Sequence, residues 1–238
     1  MLGIFSKTID PALVQSAGYS GLDFIILDQE HGNVSNQNLE NLIRAALLSN
    51  VLPIVRVPSH EPAHVGSALD MGARGVQIPN ISTAQQAQTA VQSAKFFPIG
   101  SRGVCRFVPA ALYGTMQKED YFEKANESLV ILQIEGEEGL SNIDEILTVK
   151  GIDIIFIGPY DLSQSLGLLG DIDNSKVQQT IRHITQKALS LGVKVGVFCD
   201  TLESCYSMKS IGIEYIAYSV DMHIFNDACK NIVLSINK

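Results

Sequence analysis

The chain has 238 residues, of which 46% are apolar and 18% charged, and its formal net charge is −8. This acidic balance argues against a nucleic-acid partner, which requires a positive surface. The apolar segments are shorter than the roughly 20 residues of a membrane span. The four cysteines form no C-x-x-C pair, so we expect reduced thiols and a cytoplasmic protein. Residues 1–10 have no basic region followed by a long apolar core, so no secretory signal is expected.

Short β-branched runs alternate with stretches of helical length along the chain. Strands are predicted at 2–6, 24–28, 52–57, 75–79, 129–135, 153–158, 194–199 and 215–219. Helices are predicted between them at 11–17, 37–49, 62–71, 83–94, 143–149, 175–191, 201–211 and 223–236. Gly18, Gly72 and Gly151 fall where helix-terminating glycines are expected.

Eight such units predict a closed (β/α)8 TIM barrel, an α/β fold whose active site lies at the C-terminal ends of the strands. A doubly wound open sheet is the alternative, but no G-x-G-x-x-G follows the first strand. We expect a single catalytic domain over residues 1–238, because the composition does not shift along the chain. Residues 96–126 are the longest break in the alternation. We expect them to fold over the barrel mouth or into a subunit contact.

Charged residues stand where four apolar strands end. Asp28 and His31 follow the strand at 24–28, and Arg56 closes the next one. Glu135 and Asp161 follow two later strands. Four strand ends that supply carboxylates, an arginine and a histidine predict a metal-dependent active site.

The alternation of side chains along each strand separates inward from outward positions. Gln133 and Glu135 share a face with Ile131, which we take to be the inner face. By the same count Asp28 shares a face with Ile26, and Arg56 with Ile54. An ionised side chain at an inward position is costly to desolvate unless it is paired or binds a metal.

Two carboxylates without a nearby histidine or cysteine suit a hard cation such as Mg²⁺ or Mn²⁺. Such a cation polarises a substrate carbonyl. Arg56 would stabilise a carboxylate or an enolate, and His31 would serve as general base or proton relay. The competing interpretation is a structural salt bridge, for instance between Arg56 and Glu135. A Schiff-base mechanism would instead need a desolvated lysine at a strand end, and Lys7 is the candidate.

Six segments, in order, carry a resemblance that runs from about residue 2 to residue 221. They are LDQEHG at 27–32, VRVP at 55–58, LDMGARG at 69–75, GSRGV at 100–104, QIE at 133–135 and FIGPYDLS at 156–163. Together they resemble the HpcH/HpaI-type class II pyruvate aldolases of the citrate lyase-like family.

The resemblance implies a (β/α)8 barrel with a divalent metal, Mg²⁺ or Mn²⁺ or also Co²⁺, held by Glu135 and Asp161. Pyruvate would bind the metal through its ketone and carboxylate oxygens, seated by Arg56, Gln133 and the Gly158-Pro159 backbone. His31 would handle the proton through a water on the metal, oriented by Asp28 or by Asp70. The resemblance also implies a homo-oligomer, typically a hexamer, in which the residue matching Asp70 can reach a neighbouring subunit's site. The substrates would be a small oxo acid and an aldehyde.

Two departures from the family pattern concern the aldehyde partner. Gly136 stands where a threonine or serine is common, and residues 196–200 and 218–221 also differ. The activity expected is cleavage or formation of 4-hydroxy-2-oxo acids, with Arg56→Ala losing most activity and keeping the fold. The alternatives are a citrate-synthase-like or acyl-CoA lyase-type condensation at the same enolate site, and a non-catalytic barrel that binds an oxo acid.

Overall fold

A computed structural model describes residues 1–237 and contains eight parallel strands that close into a barrel in sequence order. The strands are β1 Leu2–Ser6, β2 Phe24–Asp28, β3 Leu52–Arg56, β4 Gly75–Ile78, β5 Leu129–Ile134, β6 Ile154–Ile157, β7 Lys194–Cys199 and β8 Tyr215–Val220. The last strand pairs with the first. The predicted TIM barrel is therefore confirmed.

Helices follow the strands around the outside of the barrel. They are α1 Pro11–Tyr19, α2 Asn36–Leu48, α3 Pro62–Asp70, α4 Ala84–Ala94, α5 Lys118–Asn126, α6 Glu137–Ser141, α7 Ile143–Leu147, α8 Pro159–Ser165, α9 Ser175–Ser190, α10 Leu202–Ser210 and α11 Asp221–Ile236. No helix in the described range is long and apolar enough to cross a membrane.

The strands separate two hydrophobic cores. Ile26, Ile54 and Ile131 belong to a cluster inside the barrel with four aromatic side chains. Leu27 and Val55, one position along, belong to the larger cluster between strands and helices. The predicted inner and outer faces are confirmed, so the polar residues at positions 28, 56, 133 and 135 follow the inward face at the C-terminal mouth.

The segment at 96–126 is more ordered than its sequence indicates and lies beside the barrel. It contains a short 3-10 helix, Pro109–Gly114, and then α5. The Lys95 ammonium donates hydrogen bonds to the carbonyl of Asn126, 2.8 Å away, and to that of Ser128. These contacts anchor the segment where β5 begins, and none of its residues lines the cavity at the mouth. The prediction that it covers the mouth of its own barrel is wrong, and a subunit contact stays a prediction.

Candidate active site

A cavity of about 160 Å³ opens at the C-terminal ends of the strands. Its walls come from six strand ends or the loops after them, and the aromatic rings of Phe5, Phe156 and Phe198 form its apolar part. The polar part of the wall is supplied by Lys7, Arg56, Gln133, Tyr160 and Asp161. This is the position at which TIM-barrel enzymes carry their active sites.

Arg56 is held by two carboxylates. The strand register places Asp28 directly beside Arg56, and the guanidinium donates from Nε to Oδ1 at 2.9 Å and from Nη2 to Oδ2 at 2.7 Å. Its Nη1 lies 3.0 Å from Glu30 Oε2. The Arg56–Glu135 salt bridge considered from the sequence is therefore replaced by pairs with Asp28 and Glu30, because β2, not β5, is the neighbour of β3.

The pKa values of these carboxyl groups depend on the same contacts. Burial alone would raise the pKa of Asp28, but the hydrogen bonds and charge of Arg56 outweigh burial and hold the pKa below its usual value. Burial raises the pKa of Glu30, against the lowering effect of Arg56 and with a further raising effect from Asp28 and Asp161. Asp28 is thus a fixed anion beside Arg56, whereas Glu30 faces other negative charges.

A chain of amides orients Glu135. Gln77 Nε2 donates to Gln133 Oε1 at 2.6 Å, and Gln133 Nε2 donates in turn to Glu135 Oε2. The backbone N–H of Asn80 donates to the other oxygen, Oε1, at 3.1 Å. Burial raises the pKa of Glu135 to about 7, with contributions from the nearby charges of Asp161 and Glu30. The carboxylate is fixed in direction and surrounded by negative charge, which favours a cation beside it.

The absence of a side chain at Gly158 leaves an open space between the predicted metal ligands. A Cβ built on Gly158 would lie 2.9 Å from Glu135 Oε2, 3.6 Å from Gln133 Nε2 and 3.7 Å from Asp161 Oδ2. The two carboxylates therefore face one small space, which a methyl group would partly fill. We call this space the Gly158 cradle.

The donor set of the Gly158 cradle fits Mg²⁺ or Mn²⁺. Among residues 1–237, no three His, Cys, Asp or Glu side chains converge as a metal-binding group. Mg²⁺ is commonly held by one or two protein carboxylates, and substrate and water supply its other oxygen ligands. Glu135 and Asp161 satisfy this pattern, and the structure brings them together as the sequence predicts.

Two predicted contacts of His31 are not formed within the chain. The Asp28 Oδ1 atom accepts hydrogen bonds from the backbone N–H groups of Glu30 and His31, so Asp28 holds the backbone of this turn and not the imidazole. The ring is 62% exposed, and its Nε2 lies 4.0 Å from Glu30 Oε2. Asp70 ends α3 and pairs with Arg102 in a separate groove. Any contact of Asp70 with an active site would require a second copy of the chain.

The sequence analysis missed several residues that the structure places at or near the barrel mouth. Glu30 was not among the site residues predicted from the sequence, although it contacts Arg56. Gln77 is a buried polar residue in an apolar strand, and that contrast was the available signal. Tyr160 donates a hydrogen bond to Asp200 at 2.5 Å, a long-range contact for which the sequence gives no local signal.

A TIM barrel with paired carboxylates and a buried arginine at its C-terminal mouth has the features of an enzyme that stabilises an anionic intermediate. A family model described as HpcH/HpaI aldolase/citrate lyase matches residues 1–228. The chain belongs to this family. It is an enzyme, a carbon–carbon lyase of the aldolase type.

Named relatives cover the whole chain. The 5-keto-4-deoxy-D-glucarate aldolase of Escherichia coli O157:H7 is 32% identical over all 238 residues, which correspond to 92% of that protein. The same enzyme of Citrobacter koseri shows the same identity and coverage.

Solved structures of similar fold also include members of this family. A family member from Burkholderia cenocepacia J2315 is 29% identical and superposes with a TM-score of 0.94, over 100% of this chain and 95% of the other. The citrate synthase SbnG, also 29% identical, superposes with a TM-score of 0.89 over 99% of this chain and 93% of its own.

Proposed function

We propose that the protein is a divalent-metal-dependent aldolase that cleaves or forms 4-hydroxy-2-oxo acids through the enolate of pyruvate. The observation that carries this proposal is the Gly158 cradle, in which Glu135 and Asp161 face one space beside a cavity that Arg56 also lines. The proposal treats residues 1–238 as one catalytic domain. We also propose a cytoplasmic location, which the four free cysteines support, because reduced thiols are typical of cytosolic proteins.

Glu135 and Asp161 would hold the metal ion, Mg²⁺ or Mn²⁺, and such carboxylate sites also accept Co²⁺. When bound, the ion supplies Lewis-acid polarisation of the ketone of the oxo acid. The amide chain from Gln77 through Gln133 keeps the Glu135 carboxylate in one orientation. Gly158 and Pro159 would seat the oxo acid, because both line the cavity next to Asp161.

Arg56 would stabilise the negative charge that develops as the C3–C4 bond breaks. Its guanidinium is fixed by Asp28 and Glu30 and stacks over the Phe5 ring at 4.7 Å. A cation that is already oriented needs no reorganisation as charge develops, which is the main source of electrostatic catalysis. Asp28 therefore acts as a positioning residue for Arg56.

A base must remove the proton of the C4 hydroxyl during cleavage. We assign this proton to His31, whose exposed ring is free to turn and lies beside Glu30. Since Asp70 lies in another groove, its proposed contact with His31 requires the homo-oligomer, a hexamer in the family pattern.

A citrate-forming condensation is the second candidate function. The superposition on the citrate synthase SbnG favours it, and the chemistry would use the same enolate-stabilising residues. Formation of citrate on addition of acetyl-CoA to oxaloacetate would select this activity over the aldolase.

The first test is exchange of the C3 protons of pyruvate with D2O, followed by NMR on chelator-treated protein. Exchange that requires added Mg²⁺ or Mn²⁺ and is lost in Glu135→Gln would support the proposal without knowledge of the aldehyde. Glu137→Gln is the matched control, because Glu137 lies exposed just beyond β5. Absence of exchange with every metal would overturn the pyruvate aldolase proposal.

A further inference from the structure

We propose that Lys7 is a specificity-determining residue that binds a carboxylate group on the second substrate, the aldehyde. The inference rests on the proposed aldolase function and deepens it. It also gives Lys7 an electrostatic role in place of the Schiff-base role considered from the sequence.

Lys7 lies across the barrel from the Gly158 cradle. It follows β1, whereas Glu135 follows β5, and these two strands are opposite each other in the closed order of eight. Lys7 and Gly158 nevertheless line the same cavity. If the metal ion occupies the Gly158 cradle and the oxo acid lies against it, the end of the cavity beside Lys7 is left for the reaction partner.

Lys7 has more unused hydrogen-bonding capacity than Arg56. Arg56 is neutralised by Asp28 and Glu30. The Lys7 ammonium lies 3.9 Å from Asp28 Oδ2, which is beyond hydrogen-bond range, and that oxygen already accepts from Arg56. Within the described residues, Lys7 Nζ donates no hydrogen bond, and 37% of its side chain is exposed. An ammonium group has three donors, so Lys7 can bind an anion that enters the cavity.

The backbone that carries Lys7 is rigidly held by Asp221. The buried Oδ2 atom of Asp221 accepts hydrogen bonds from Ser6 Oγ at 2.9 Å, Lys7 N at 3.0 Å and Thr8 N at 3.2 Å. The other oxygen accepts from the backbone N–H of Met222 at 2.7 Å. The base of the lysine side chain is thus fixed between the ends of β1 and β8, which reduces the cost of ordering it around a ligand.

The neighbouring wall suits a short acid. Phe198 and Val220 supply apolar surface to the same cavity. The side chain of Tyr160 is fixed by the hydrogen bond that its hydroxyl donates to Asp200. A cation beside apolar walls interacts more strongly with a carboxylate than it would in open solvent. A neutral aldehyde of the same size gains nothing from the charge, so Lys7 would discriminate between the two.

The test compares glyoxylate, which carries a carboxylate, with glycolaldehyde, which is neutral and has the same two-carbon skeleton. Both are supplied as acceptors for pyruvate with Mn²⁺, and kcat/KM is measured for the wild type, Lys7→Met and Lys7→Arg. Lys194→Met is the matched control, because it removes the same charge from an exposed position at the opposite end of the barrel.

We expect Lys7→Met to lower the glyoxylate-to-glycolaldehyde ratio of kcat/KM by roughly 10- to 100-fold, chiefly through KM for glyoxylate. Lys7→Arg keeps the charge and is expected to restore most of the ratio, whereas Lys194→Met is expected to show the wild-type ratio. Equal losses for both acceptors in Lys7→Met, or an unchanged ratio, would overturn the inference.

Two outcomes separate this inference from the proposed function. Metal-dependent pyruvate exchange in the wild type, together with an unchanged acceptor ratio in Lys7→Met, would overturn the role of Lys7 alone. The second outcome comes from treating the protein with borohydride in the presence of pyruvate, which tests for a Schiff base on Lys7. A Schiff base would form from the Lys7 amine and the pyruvate ketone with loss of water, and the hydride would reduce it to a stable amine. Mass-spectrometric detection of that adduct would overturn both proposals.

Discussion

Asp28 and Arg56 are register partners on adjacent strands and form a two-pronged ion pair inside the barrel mouth, with hydrogen bonds of 2.7 and 2.9 Å. Glu30 contacts the third guanidinium nitrogen. Arg56 therefore has a structural task as well as the proposed catalytic one: it is the counter-ion of two carboxylates, one of them fully buried.

Arg56→Ala is expected to reduce both activity and stability. The sequence alone predicts that this variant keeps its fold, but the structure shows that it leaves Asp28 buried without its counter-ion. Breaking a buried pair from one side costs about 3–5 kcal/mol. Urea unfolding measures this loss, and turnover of the folded fraction measures the loss of activity. Lys187→Ala is the control, because its exposed pair with Asp144 is worth less than about 1 kcal/mol. Equal stability of the two variants would contradict the structural role of Arg56.

The stability of the protein in acid should depend on Asp28. Its pKa is lower in the folded protein than the reference value of 3.8, so the unfolded chain binds the proton first as the pH falls. The stabilisation is fully present above the unfolded pKa and is lost as the pH falls through the folded pKa. The difference in free energy of unfolding between the wild type and Asp28→Asn should therefore narrow below about pH 4. A difference that stays constant from pH 7 to pH 3 would exclude this role.

Gly158→Ala should weaken metal binding with little effect on the fold. The new methyl group would lie 2.9 Å from Glu135 Oε2, in the space between the carboxylates. We expect the Kd for Mn²⁺ to rise by about 10-fold or more, measured by calorimetry, since changes in the immediate surroundings of metal ligands typically cost 10- to 100-fold in affinity. Gly136→Ala is a close control, because its Cβ would meet no atom within 4 Å. Similar affinities in the two variants would show that the ion binds elsewhere.

Gln77→Leu should reduce activity although Gln77 does not line the cavity. The substitution removes the donor to Gln133 and leaves Gln133 free to turn away from Glu135. Loss of a group that orients a metal ligand typically costs 10- to 100-fold in metal affinity or activity, so a loss of roughly 10-fold is expected. The Kd for Mn²⁺ should rise and kcat should fall in the same variant. The control is Gln88→Leu, on the exposed face of α4, which is expected to change neither quantity. A wild-type Kd for Mn²⁺ in Gln77→Leu would contradict the role of the amide chain in orienting Glu135.

The strands and their inner faces could be predicted because both are local properties of the chain. Side chains alternate along any strand, so Ile26 with Asp28 and Ile131 with Gln133 could be assigned to the barrel interior from sequence order alone. The helices α5, α6 and α8 were not predicted, because they lie outside the simple alternation of one helix after each strand. Helices α6 and α8 follow directly on the ends of β5 and β6, and α5 lies in the break at 96–126. Helix α8 begins at Pro159, and proline favours the first turn of a helix.

From the sequence alone we could predict the barrel, the end of it that carries the polar residues, and Glu135 and Asp161 as candidate metal ligands. Which charges neutralise one another became visible only in the folded barrel. Arg56 pairs with Asp28 and Glu30 because the closed barrel makes β2 the neighbour of β3. Asp70 pairs with Arg102 because α3 ends beside the segment at 96–126. Ion pairs depend on distances of a few ångströms between residues far apart in the chain, and strand register sets those distances. The same geometry leaves Lys7 with free donors at the far side of the cavity.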